Sequence, residues 1–529
     1  MAEQQGQAAK LCVIGVDVGT TSIKTLAFDG QGRELARNGA QQQLIRNAPG
    51  AAEQDPRAVY DAVTDALAAT VRQVIAQGYR VARLGISAAM HSLLPVGADD
   101  QPLGPALTWM DTRPAAAAQA LWASPQGQAL YQRTGTPIHA MSPLAKLIWA
   151  RTAQPELFQR AARWVSLKEW LWHGWLGAWQ VDASIASATG LYNLRAGTWD
   201  GEALALAGID AARLSSLAPT TFVGVGLREP RLLAAGLMPQ TPFVIGASDG
   251  VLANLGAGAI QRDVMALTLG TSCAVRVGGD QPLTDPRMRS FCYVLDSGRF
   301  ILGGPSNSGG DVLDWLYHQV LHRRPSQPAI PPRQTPAQGW DDANDGFGAM
   351  LTAAGQIECG ELLCLPYIAG ERAPLWDADA RGVFFGLSSA TQAEHLMRAA
   401  IEGVILNAYW IATGLFETLG KPRQISASGK LLETEWIRQL TADVFGLPVG
   451  YLGAVDASTL GAVALADIAC GARTWDDITQ HPPQPVSVAQ PHAAAHAIYQ
   501  RKYASYRRLC DTLLGAFGSV GQMTTHGSV

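Results

Sequence analysis

The sequence predicts an α/β protein of two domains flanking a central cleft, and three observations carry that prediction. A buried apolar run, a turn rich in glycine and hydroxyls, and a returning strand occur twice, at residues 11–29 and again at 264–277. Two further apolar runs, 84–87 and 243–247, each deliver polar residues to a strand end, where α/β sheets place ligand contacts. At 529 residues the chain also exceeds one ordinary hydrophobic core. The internal repeat puts a boundary near 257–262, giving halves of 11–258 and 263–516 with flexible tails at 1–10 and 518–529.

The first turn is Gly19-Thr20-Thr21-Ser22, preceded by Asp17 and followed by Lys24. Glycine lets a backbone approach an anion, hydroxyls and peptide N–H groups donate to its oxygens, and Lys24 can stand behind it. Asp17 suits a hydrated Mg²⁺. Alone, such a turn could satisfy only itself. Its recurrence as Gly270-Thr271-Ser272 argues that both halves grip one phosphate-bearing ligand.

After the first hairpin, a third strand is expected near 34–38. A helix then begins at Asp55 as N-cap and Pro56, with Val59, Val63, Leu67, Val71 and Val74 on one face until Gly78 stops it. The strand at 84–87 leads to Met90 and His91, the first candidate contact; a buried structural histidine is the competing reading. In Trp109-Met110-Asp111-Thr112-Arg113, strand alternation would put an aromatic, an acid and a base on one face, a wall fit for a polyhydroxylated ligand. An exposed Asp–Arg ion pair is the alternative. The tryptophans at 164–179 are most simply core, as is the helix of residues 391–420, for which Thr391 and Glu394 propose a capping box.

Ser248-Asp249-Gly250 ends a buried strand just before a helix. Asp249 is either its N-cap, contributing roughly 1 kcal/mol, or a general base for an attacking hydroxyl. The glycine-rich run 303–310 opens another helix and is a third backbone-rich approach to an anion. Gly429, between a strand and a helix, would let a flat base or ribose pack on backbone. The proline-bearing stretch 323–338 is expected to be a solvent-exposed excursion.

Composition narrows the function. Apolar residues make up 48% and charged residues 16%, as in a well-buried globular protein. A net charge of −4 without a basic block argues against nucleic acid. Seven scattered cysteines show no metal-ligand spacing. No signal peptide or membrane span stands out, so a cytoplasmic protein acting on a small molecule is expected.

Two signatures then resemble the FGGY carbohydrate kinases, members of the actin-like ATPase class, over residues of about 11–466. One starts at Met141-Ser142-Pro143 and runs through Lys146 to Trp149, departing from the usual larger apolar residue at Ala150. The other runs from Gly382 to Leu387 and from His395 to Glu402 and fits at every position. The resemblance implies two actin-like (ribonuclease H-like) ATPase domains, ATP with Mg²⁺ as cofactors, and Asp249 as catalytic base. It assigns Asp17 to the metal, Gly19, Thr20, Thr21, Ser22 and Lys24 to the first ATP-phosphate loop, and Gly270, Thr271 and Ser272 to the second. Gly310 and Gly429 become nucleotide contacts, although Lys430 replaces the usual partner glycine. Met90, His91, Trp109, Asp111, Arg113, His139 and Asp249 would bind the substrate. Within the family, the stretches around Met90-His91, Trp109 to Arg113, Thr134 to His139, Ser248 to Gly250 and Gly370 to Trp376 are together most similar to gluconokinases, with xylulokinases or another sugar or polyol kinase as the alternative. Phosphorylation of a primary hydroxyl of gluconate would give 6-phosphogluconate, with His91, His139 or Arg113 meeting the carboxylate. The resemblance implies neither a nucleic-acid nor a membrane partner, and leaves a homodimer open.

Overall fold

The computed structural model describes residues 10–321, 346–454 and 456–525; the excursion expected at 323–338 lies outside the described residues. In the first half, β1 (Lys10–Val18) pairs antiparallel with β2 (Ser22–Asp29), which pairs antiparallel with β3 (Glu34–Gln41). Helix α1 (Pro56–Ala76) then crosses to β4 (Tyr79–Ala88), parallel to β1, and β5 (Phe243–Ser248) runs parallel to β4. The order is β3-β2-β1-β4-β5, with a two-residue strand, Val223–Gly224, at the far edge. All six residues of β5 are buried, which suits a strand covered on both faces.

Helix α1 starts as its sequence prescribes. The Asp55 side chain accepts from the Arg57 and Ala58 N–H groups, Pro56 fills the first position, and Val59, Val63, Leu67, Val71 and Val74 are buried.

The second half repeats the plan. After α2 (Asp249–Gly256), β6 (Val264–Leu269) pairs antiparallel with β7 (Cys273–Gly279), and β8 (Phe291–Asp296) and β9 (Arg299–Ser306) extend the antiparallel side. Beyond β6 lie β10 (Gln424–Ser428) and β11 (Val449–Tyr451), both parallel to it. The core order β9-β7-β6-β10-β11 therefore repeats β3-β2-β1-β4-β5 with the same strand senses, flanked here by β8 and by β12 (Ser487–Ala489).

Three helices complete the frame. α3 (Gly310–Trp315) begins against the second turn, and α4 (Ala393–Leu419) forms the centre of the second core. α4 is long and apolar enough to cross a membrane, yet 89% of its most apolar window is buried within the protein, which makes it a core helix. Its capping box uses Gln392 and His395, one residue later than the sequence suggested, because the Thr391 hydroxyl accepts from the Ser388 N–H at 3.0 Å instead. Residues 518–525, expected to be a tail, continue the last helix, Ala493–Thr525.

One element crosses between the halves. Helix α5 (Ala457–Ala469) follows the second sheet in the chain but lies on β1 and β4 of the first and against α2. Bare glycines allow that approach. A Cβ on Gly85 would lie 2.1 Å from the Ala462 carbonyl oxygen, one on Gly256 2.0 Å from that of Ala457, and one on Gly461 1.9 Å from that of Leu252. Arg83 pairs with Asp467 at 2.6 Å across the same contact. Alanine normally favours a helix interior over glycine by about 1 kcal/mol, but here the methyl group meets backbone that cannot yield. Gly461→Ala should therefore lower the melting temperature by several degrees, whereas Gly348→Ala, on an open helix face, should leave it unchanged or raised in the same calorimetric scan.

Candidate active site

The two turns share one hydrogen-bond design. Gly19 N–H donates to the Ser22 carbonyl and Gly270 N–H to the Ser272 carbonyl, both at 3.0 Å. The second loop is one residue shorter, since Leu269 pairs directly with Cys273 whereas Val18 pairs with Ile23. Gly310 N–H donates to the Gly270 carbonyl at 2.8 Å, seating the start of α3 on the second turn. The first turn is tied to the aromatic wall, because Trp109 Nε1–H donates to Thr20 Oγ1 at 3.0 Å.

Between the halves lies a cavity of about 180 Å³. The first half contributes Met90, His91, Trp109 and Asp249; the second contributes Ser272, Arg276, Tyr293 and Arg372. Asp249 is the first residue of α2, with Ser248 at the N-cap position, and its carboxylate accepts the adjacent Gly250 N–H at 2.6 Å. Burial, aided by the nearby Asp17 charge, pushes its carboxyl up to about 6 against the pull of Arg276 and Lys168. It is held at the cavity and only locally bonded, which suits a base better than a cap.

Asp17, at the end of β1, accepts from Ser87 Oγ at 2.6 Å and from Ser458 Oγ, on α5, at 3.0 Å. Burial raises its carboxyl as well, opposed by those hydroxyls and by Lys24. Two desolvated carboxylates of like charge are what a divalent cation would relieve. Among the described residues there is no group of three or more metal-ligating side chains. The donor set therefore fits Mg²⁺, held by one carboxylate with phosphates and water supplying the rest.

Several assignments from sequence change. Residues 108–111 form a turn, closed by Asp111 N–H to the Thr108 carbonyl at 3.2 Å, so strand alternation does not apply to them. Trp109 lines the cavity, but Asp111 is fully buried behind it, accepting the Ala52 N–H at 3.1 Å and the Arg113 guanidinium at 2.6 Å. Arg113 also bonds Glu53 at 2.5 Å and lies 4.8 Å over the Trp149 ring. Asp111 and Arg113 thus brace the wall and do not line the cavity. His139 sits off the lining, 5.6 Å from Trp376, and burial lowers its pKa to about 4, so it is neutral near pH 7. Lys24 is paired with Asp456 at 2.5 Å. Gly429 has φ 105°, and a Cβ there would lie 2.3 Å from the Leu269 carbonyl oxygen. A side chain is therefore excluded there by the backbone of β6.

His91 does reach the cavity. Its backbone is left-handed, φ 70°, and Nδ1 meets the Ala188 carbonyl at 2.8 Å. Burial, with Lys146 and Arg372 nearby, lowers the ring pKa to about 3. A neutral ring whose Nδ1–H donates to a carbonyl leaves Nε2 as an acceptor, and the Tyr293 hydroxyl, another lining group, donates to it at 3.5 Å.

Three cations escaped the sequence reading. Lys146 is fully buried, its Nζ 2.5 Å from the His91 carbonyl oxygen, so it shapes the loop that carries the histidine. Arg372 lies 4.7 Å over the Trp109 ring and donates to the Ser306 carbonyl at 2.9 Å. Arg276 stands on β7, two residues beyond Ala274 on the same strand face. Alternation counted onward from Ser272 would have found Arg276; Arg372 lies in the 370–376 stretch of the family resemblance but was given no role there, because its place over Trp109 depends on a loop of the other half.

A duplicated actin-like fold with a buried carboxylate and two hydroxyl turns around one cleft is the architecture of a sugar-kinase phosphotransferase. Residues 12–256 match the FGGY family of carbohydrate kinases, N-terminal domain, and residues 265–470 match its C-terminal domain. The chain belongs to the FGGY family of carbohydrate kinases, enzymes that act on small carbohydrates with ATP as donor. It is 37% identical over 462 residues to the gluconokinase of Bacillus subtilis (strain 168), covering 87% of this chain and 88% of that one. Among solved structures, a gluconate kinase from Lactobacillus acidophilus superposes with a TM-score of 0.89 at 33% identity, covering 97% of this chain and all of that one (100%). A ligand-bound xylulose kinase from the same organism gives 0.87 at 33% identity, covering 96% and 100%.

The Asp111–Arg113–Glu53 brace carries its own expectation. Arg113→Met leaves two buried carboxylates without their cation, a loss of about 3 kcal/mol or more. Urea unfolding should show that loss, and Asp111→Asn added to Arg113→Met should recover part of it.

Proposed function

We propose that the protein transfers the γ-phosphoryl group of ATP to a primary hydroxyl of gluconate, giving 6-phosphogluconate. The carrying observation is that Asp249, its carboxyl near 6, shares one small cavity with Ser272 of the second turn and with Met90, His91 and Trp109. The relatives named gluconokinase or gluconate kinase support the choice of substrate, and a xylulose or other polyol substrate is the alternative outcome of the same assay.

In this reading Asp249, ionised at neutral pH, accepts or orients the proton of the attacking hydroxyl. Neutral His91 accepts a substrate hydroxyl at Nε2 in place of its long contact with the Tyr293 hydroxyl, and Trp109 offers a flat face to the carbon chain while its indole N–H holds Thr20 in place. The N–H and hydroxyl groups of both turns face the phosphates, and seating the substrate between the halves excludes water that would otherwise be the acceptor. Mg²⁺, held at Asp17, would supply charge neutralisation at the phosphates.

A panel of sugars, polyols and sugar acids assayed by ADP release should show gluconate with the highest kcat/KM; a pentulose ahead of it would overturn the substrate choice. Asp249→Asn should bind ADP but lose about 10²–10⁴-fold in kcat, and near-normal turnover would remove the base assignment. In the wild type, kcat/KM should fall about tenfold per pH unit below about 6, because the base must be ionised. Stability follows the opposite sense. The folded state holds this proton more tightly than the unfolded chain, so ionisation costs stability as pH rises to about 6, and Asp249→Asn should melt no lower than wild type at pH 8.

A further inference from the structure

Among the described residues, several cations around the cleft have a carboxylate within ion-pair distance. Arg113 has Asp111 and Glu53, Lys168 has Asp182 at 2.8 Å, and Lys24 has Asp456. Arg276 and Arg372 both line the cavity without an ion pair of that kind among the described residues, Glu371 being the carboxylate nearest in effect to Arg372, and each has a buried Nε–H without a hydrogen-bond partner. They stand at different depths. Arg372 holds the Ser306 carbonyl, and Ser306 pairs with Cys273 at the turn end of β7; it also stacks on the wall through Trp109. Arg276 pairs with Gly303, three residues further from the turn, and packs beside Phe291. Alternation along β7 makes Ser272, Ala274 and Arg276 a row of lining residues, with Arg276 roughly 13 Å of strand from the hydroxyl turn.

The surroundings of Arg276 call for an anion. Its Nε and one terminal nitrogen each lie 3.3 Å from where a Cβ on Gly250 would stand, so the guanidinium rests on the first turn of α2, the positive end of that helix. The nearest negative charge is Asp249, and no hydrogen bond or ion pair joins the two among the described residues. The other lining groups beside it, Met90, Phe291 and Tyr293, are uncharged. A substrate whose hydroxyl end meets Asp249 would turn its other end to the Arg276 guanidinium, which lines the same cavity beside the first turn of α2.

We propose that Arg276 determines specificity for an acidic substrate, its guanidinium binding the carboxylate of the sugar acid whose primary hydroxyl faces Asp249. This rests on the gluconate reading above. A planar fork suits a carboxylate, and a site built around that ion pair rejects the neutral analogue that leaves the cation unpaired.

The test compares gluconate with glucitol, the same carbon chain bearing a hydroxymethyl group in place of the carboxylate. Binding is measured by calorimetry without ATP, and turnover by ADP release, for the wild type, Arg276→Met and Arg276→Lys. The wild type should bind gluconate at least 30-fold more tightly than glucitol. Arg276→Met should raise the gluconate KM by two to three orders of magnitude and bring the two ligands within about threefold, with most of the loss in KM and not in kcat, and Arg276→Lys should recover part of the discrimination. Retained ADP binding shows that the variants fold. Selectivity for gluconate that survives Arg276→Met, or a kcat loss shared equally by both ligands, would overturn the assignment while leaving the substrate reading intact. Equal wild-type affinity for the two ligands would overturn it without any variant. A wild type that neither binds nor phosphorylates gluconate would instead remove the substrate reading itself.

Discussion

The close contact of α5 with the first sheet is the constraint on which the rest depends. A helix from the second half can lie on β1 and β4 only because Gly15 and Gly85 leave no side chain between backbone and backbone. Gly256 and Gly461 do the same where α5 meets α2. That seating fixes the relation between the halves at short range. It brings Ser458 to Asp17 and Asp456 to Lys24, so groups far apart in sequence share one electrostatic environment at the first turn. Dispersion contacts at such distances fall away steeply with any added methyl group, which makes the interface stiff and intolerant of substitution.

Charge placement follows from that seating. Asp17 and Asp249 lie at the ends of parallel strands in one desolvated region, and each resists ionisation through burial first. Such an arrangement costs stability and is retained where chemistry needs it. The Asp249 carboxyl is drawn toward neutral pH, and burial likewise raises that of Asp17. On the other side of the cavity the imbalance is reversed, since Arg276 and Arg372 are cations with no ion pair among the described residues. A ligand with a phosphate at one end and a negative group at the other would satisfy both.

Much of this was legible in the residues. The two turns announced themselves by repetition, and the repeat correctly implied two halves around a shared cleft. The N-cap and apolar stripe of α1 were readable because capping and helical periodicity are local physics. Trp109, Met90, His91 and Asp249 were picked out as candidates and meet at the cavity. Asp111 and Arg113 were misplaced for a definite reason: alternation presumes a strand, and the closed turn at 108–111 rotates both side chains inward. The capping residue of α4 shifted by one position because a neighbouring turn competed for Thr391.

Hydrophobic alternation, turn chemistry and caps act over a few residues, so the sequence by itself determined the strands, most helix starts, the duplicated hairpins and the strand end at which Asp249 stands. Which cations stay uncompensated, and where α5 lies, depend on contacts between residues hundreds of positions apart. Tertiary structure alone decided that Arg113 would be neutralised behind the wall and that Arg276 would line the cavity with no ion pair among the described residues, because charge compensation is settled by through-space distance and burial, neither of which is written in local spacing.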